Sequence, residues 1–135
     1  KECLPLLTAL CDAGYDVSLE TSGALDIAGI DPRVARIMDL KAPDSGECAR
    51  NRWENLPLLG PRDEIKIVIA SRGDYEWARA QLHDRRLAEC CPVLLSPAQG
   101  LVDPTALAEW ILADGLAVRF QMQLHKLLWG NAKGK

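Results

Sequence analysis

The chain has 135 residues, 48% of them apolar and 26% charged, with a net charge of −3, a balance that suits one soluble globular domain able to bury a core. That charge gives no footprint for nucleic acid or an anionic membrane surface, and no apolar run approaches the ~18 residues of a membrane helix. The five cysteines, Cys3, Cys11, Cys48, Cys90 and Cys91, lack disulfide or zinc spacing; they read as packing or surface thiols in a reducing, cytoplasmic setting.

In chain order, Leu4, Leu7, Leu10 and Cys11 recur at helical spacing and Gly14 supplies a stop. Val17 to Glu20 reads as a first strand. Asp31-Pro32 predicts a short helical turn, with Asp as cap and Pro at the first helical position. Ala35 to Leu40 reads as a second strand, and Cys48 to Leu56 as a helix with Trp53 and Leu56 on one side. Glu64 to Ile69, β-branched and apolar, is the clearest strand. Asp74 is taken as the cap of a helix reaching about Ala88, and Pro92 to Leu95 as a fourth strand. Asp103-Pro104 opens a helix through Leu107, Trp110 and Ile111 that Gly115 stops. Ala117 to Met122 is a fifth strand, and Leu127, Leu128 and Trp129 suggest a last apolar turn.

Strands and helices that alternate over connections too long for hairpins predict a parallel α/β sheet with crossover helices. No linker divides residues 1–135, which are read as a single domain. In such folds the C-terminal ends of the strands carry the ligand site. Here those ends are Glu20-Thr21-Ser22-Gly23, Asp39 to Glu47, Ser71 to Asp74, Ser96 to Gly100 and Gln121 to Lys126. A polar ligand of mixed charge fits such a rim. Each ending also has a plainer reading: Ser22-Gly23 as a turn, Asp74 as a cap, Asp39 and Lys41 as partners of each other, His125 as a structural histidine. No nucleophile triad, phosphate-cradling loop or dinucleotide fingerprint is visible, and no catalytic residue can be named.

The combination of VSLETSG, MDLKAPDSGE, SPAQG and QMQLHKLLWG resembles the C-terminal part of the 7-carboxy-7-deazaguanine synthases, in the radical S-adenosylmethionine (SAM) superfamily. The resemblance runs over essentially the whole chain. It implies the C-terminal half of a partial (β/α)6 barrel, with about five parallel strands. It also implies a [4Fe-4S] cluster, SAM and Mg²⁺. The reaction it implies is a radical conversion of 6-carboxy-5,6,7,8-tetrahydropterin to 7-carboxy-7-deazaguanine and ammonia, in queuosine and deazapurine biosynthesis.

By matching motif, the resemblance places Asp39, Leu40 and Lys41 at SAM, with Asp39 or Lys41 bonding ribose hydroxyls or the methionine carboxylate. It sets Ser96, Pro97, Ala98 and Gln99 along the adenosine, Glu20 and Ser22 facing SAM, and His125 with Gln123 at the pterin. A homodimer is implied at full length, with a small-molecule substrate and neither nucleic acid nor membrane as partner. The cluster cysteines, the glycine-rich SAM motif and the magnesium ligand belong to the family's N-terminal half. The chain begins at Lys1 with no signal peptide, so it is expected to start inside a longer polypeptide and to be inactive alone. Related alternatives are a glycyl-radical-activating enzyme, which shares the Asp-Leu-Lys strand end, and a non-catalytic α/β metabolite-binding domain.

Overall fold

A computed structural model describes residues 3–130, with the backbone alone at His125, Lys126 and Leu127. Five strands, β1 (Ser18–Thr21), β2 (Ala35–Leu40), β3 (Glu64–Ile69), β4 (Val93–Pro97) and β5 (Arg119–Phe120), form one sheet in the order of the chain. All four pairings are parallel. An order without reversal is that of a barrel wall; a doubly wound sheet would turn back at a switch point. The expected α/β half-barrel is therefore the architecture present.

Alternation along the strands gives the sheet two unlike faces. Met38, Leu40, Ile65, Ile67, Ile69, Val93 and Leu95 are buried on one of them. They join one apolar cluster with Tyr75 and Ala78 of α2 (Arg72–Asp84), Leu87 of α3 (Leu87–Cys90), and Leu107 and Ile111 of α4 (Pro104–Asp114). Each such side chain contributes about 1.5–3 kcal/mol by leaving water, so this face holds the fold together. The register puts the opposite residues in rows on the other face: Glu20 beside Ile37 and Glu64, Asp39 beside Lys66, Leu94 and Arg119, and Val68 beside Ser96. Charge is concentrated there, and there the site has to be sought.

Several elements depart from the sequence reading. The Asp31-Pro32 segment is a turn, not a helix, because Asp31 spends its carboxylate on the Arg33 N–H (2.9 Å) and guanidinium (3.0 and 2.8 Å). β1 therefore reaches β2 with no intervening helix after α1 (Cys3–Asp12). The expected helix at Cys48–Leu56 consists instead of short 3₁₀ turns, Cys48–Arg50 and Trp53–Leu58, the second containing Pro57. Ser71, not Asp74, caps α2, its hydroxyl accepting the Asp74 N–H at 3.1 Å. That helix ends early where Arg86 takes a positive φ of 51°. The Asp103 cap, Pro104 and the left-handed Gly115 stand where expected.

The fifth strand is shorter than predicted, Arg119–Phe120, and α5 (Leu124–Trp129) follows it. All five cysteines are free. Cys91 is buried, and burial above all, with Cys90 beside it, pushes its thiol up to about 11, as suits a packing residue. No described helix is long and apolar enough to cross a membrane.

Candidate functional site

At the end of β2, Asp39 and Lys41 stand two residues apart on the charged face. Lys41 Nζ donates to Asp39 Oδ2 at 2.8 Å, with both side chains about one-third exposed (32% and 31%). A pair so open to water contributes little, about 0–1 kcal/mol. It is cheap to open, and a zwitterionic ligand offers each member a replacement partner. Leu40 points the other way into the core at 2% exposure, so only its backbone can meet a ligand on this face.

The end of β4 is more telling. Ser96 has no exposed surface, yet its Oγ has no hydrogen-bond partner among the described residues. The Oε1 of Gln123 is likewise shut away from solvent without a partner. Burying a polar atom this way costs about 1–3 kcal/mol unless something bonds it. In the residues that follow Ser96 in the chain, Pro97, Gln99 and Gly100 face Met122 and Gln123 across a cavity of about 230 Å³. The backbone secures both walls: the Ala98 N–H donates to Ile69 at 2.8 Å and the Gln121 N–H to Leu95 at 3.0 Å. Gln99, Gln123 and Pro97, assigned separately from sequence, thus line one small, largely apolar slot.

The end of β1 contributes less directly. Glu20 is exposed and level with Ile37, roughly 13 Å back along the strand direction from Lys41 at 3.3 Å per residue. Glu20 and Lys41 therefore share a face but not a rim. Ser22 is exposed at the following turn, which Gly23 (φ +71°) brings hard against β2. The side chain of His125 lies outside the described residues.

The sequence reading missed Lys66. It is half-buried beside Asp39 in the register, with no ion pair or hydrogen bond among the described residues. The in-phase series Glu64, Lys66, Val68 was its signal. Two buried asparagines were missed as well. Asn55 donates to the carbonyls of Gly23 (3.2 Å) and Leu25 (2.8 Å) and accepts the Ile27 N–H (3.4 Å). Asn51 bonds both backbone groups of Lys41.

No protein-family model matches the chain. The 7-carboxy-7-deazaguanine synthase of Chlorobaculum tepidum is 44% identical over 133 residues, covering 96% of this chain and 60% of that protein. The one from Koribacter versatilis is 41% identical over 142 residues, covering 96% of this chain and 63% of that protein. The chain is homologous to the 7-carboxy-7-deazaguanine synthases. It spans 60% and 63% of the length of these two relatives. The crystal structure of QueE from Escherichia coli matches with a TM-score of 0.64 at 23% identity, over 90% of this chain and half of that one (50%). At that identity the likeness shows the fold alone.

The orphaned Ser96 Oγ has a consequence that does not depend on the ligand. Ser96→Ala removes an unmet polar atom, so the unfolding free energy in urea is expected to stay level or rise by up to about 1 kcal/mol. A fall of more than about 1 kcal/mol would mean that the hydroxyl is already satisfied in the free protein.

Proposed function

We propose that this chain supplies much of the cofactor and substrate wall of a radical SAM carbon–nitrogen lyase. The lyase converts 6-carboxy-5,6,7,8-tetrahydropterin to 7-carboxy-7-deazaguanine and ammonia in queuosine and deazapurine biosynthesis. The observation that carries the reading is 44% identity over 133 residues to a protein of that name. The geometry supports it. A rim with a solvent-accessible ion pair, a buried unpaired hydroxyl and a largely apolar slot edged by two glutamines suits a zwitterionic, hydroxyl-rich nucleoside.

In this reading Asp39 and Lys41 take the charged and hydroxyl groups of SAM. Ser96 donates its free hydroxyl, Pro97 to Gln99 border the adenosine, and Glu20 and Ser22 complete the face toward SAM. Gln123 and His125 hold the pterin, with Gln123 Oε1 accepting a ring N–H. Bound SAM, with a [4Fe-4S] cluster, would supply hydrogen-atom abstraction, and Mg²⁺ would assist at the substrate. In this reading the cluster and magnesium ligands come from the family's N-terminal half. The work of this chain is positioning and exclusion of water around one hydrogen. Residues 1–135 act as one domain, within a cytoplasmic homodimer at full length.

The deciding experiment is an anaerobic assay of the whole polypeptide, reconstituted with iron, sulfide, SAM and a reductant. Ammonia is expected to appear in step with loss of the carboxypterin. Cleavage of SAM without consumption of the carboxypterin would overturn the substrate. In the same preparation Ser96→Ala is expected to weaken SAM binding roughly 10-fold, about 1.4 kcal/mol, while leaving stability intact.

A further inference from the structure

We infer that Asn51 is a positioning residue for Lys41: its carboxamide stands in for a neighbouring strand and holds the lysine on the ligand face. Regular pairing of β2 with β3 ends at Leu40, opposite Ile67. One residue further on, Asn51 Oδ1 accepts the Lys41 N–H at 2.9 Å and Asn51 Nδ2 donates to the Lys41 carbonyl at 2.9 Å. A primary amide presents a donor and an acceptor side by side, as a peptide edge does. Asn51 therefore meets both backbone groups of one residue, and Lys41 stays tied down past the end of the ladder. By strand alternation its side chain then remains on the face of Asp39, where Nζ reaches Oδ2 at 2.8 Å.

Asn51 is itself fixed. It is 8% exposed, and its segment is tied to the first strand's turn through the Arg52 N–H to the Gly23 carbonyl (3.1 Å) and through Asn55. A loop carrying no such clamp would let Lys41 swing out to water, and the ligand would have to restrain four side-chain torsions on binding. Asn51 does not itself touch the ligand in this account; it acts through Lys41.

The inference rests on the SAM reading of Lys41, and the test separates the two. SAM affinity is measured by calorimetry on the whole, cluster-loaded polypeptide as wild type, Asn51→Ala, Lys41→Ala and the double variant, at a temperature where circular dichroism shows all four folded. Asn51→Ala is expected to weaken binding roughly 10-fold alone but less than about 2-fold when Lys41 is already Ala. A role confined to folding would give equal losses in both backgrounds and would overturn the inference. So would a loss on Lys41→Ala with none on Asn51→Ala; in both cases the SAM reading survives. If Lys41→Ala leaves affinity unchanged, the SAM role of Lys41 falls and the inference falls with it. Should Asn51→Ala not fold, Asn51→Asp keeps the acceptor for the Lys41 N–H and is read in the same cycle, with the same two outcomes.

Discussion

Gly23→Ala is expected to lower the unfolding free energy by about 2–4 kcal/mol and to weaken ligand binding at the strand ends at the same time. Two penalties combine at this position. The backbone has φ +71°, a region that costs an L side chain about 1–2 kcal/mol. An added Cβ would also stand 2.7 Å from the Asp39 carbonyl oxygen and 3.2 Å from Met38 Cγ. The carbonyl belongs to β2 and cannot swing aside as a flexible side chain would. The turn itself must back away, which strains the bonds that the Gly23 carbonyl accepts from Arg52 and Asn55. This is the physical reason why a strand ends in Glu-Thr-Ser-Gly: the last residue must let two strand ends meet. Urea unfolding and SAM calorimetry on the same variant check both halves. A loss below about 0.5 kcal/mol would show that the turn is looser than its contacts imply.

The second large effect lies at the opposite end of the strands. Asp63→Ala is expected to cost about 3–5 kcal/mol, because it strands a largely buried guanidinium. Asp63 accepts from the Arg36 N–H (2.7 Å), Arg36 Nε (3.0 Å), Arg36 Nη2 (2.7 Å) and the Gly60 N–H (2.7 Å). Its side chain is 3% exposed and that of Arg36 14%. The pair joins the start of β3 to β2, and so sets the register that aligns Asp39 with Lys66.

Burial pushes the Asp63 carboxyl up, but the Arg36 guanidinium and the two backbone N–H groups outweigh it. The net pKa lies below the ordinary 3.8. A carboxyl held low in the folded state stabilises it fully above the unfolded value and loses that contribution as pH falls through the folded one. The difference in stability between wild type and Asp63→Ala is therefore expected to be widest near neutral pH and to shrink as pH drops below about 3.8. A gap that stayed constant down to acid would contradict this assignment of charge.

The strands were legible because their signals are local. Glu64 to Ile69 alternates and is β-branched, and Ala35 to Leu40 and Glu64 to Ile69 carry the predicted bounds. Capping at Asp103-Pro104 and Gly115 was legible for the same reason. The segment from Cys48 to Leu58 was not. Helical spacing of Trp53 and Leu56 suggested an α-helix, but Asn51 and Asn55 spend their amides on the backbone of distant strand ends. That bonding depends on contacts far away in sequence, and it wins over local propensity.

The candidate site was legible as a set of strand endings, since the parallel order makes the strand ends neighbours. Depth along each strand was not. Only the register reveals that Glu20 lies level with Ile37, and that Lys66 belongs beside Asp39. Nor could the sequence show that Ser96 is sealed in with its hydroxyl unpaired among the described residues.

The most direct test of the account is a crystal structure of the whole polypeptide with SAM bound. The expected result has Ser96 Oγ and a polar atom of Asp39 or Lys41 within about 3.5 Å of the cofactor, and the adenosine along Pro97, Ala98 and Gln99. SAM seated on the helix-covered side of the sheet, with Ser96 Oγ still unpaired, would contradict it.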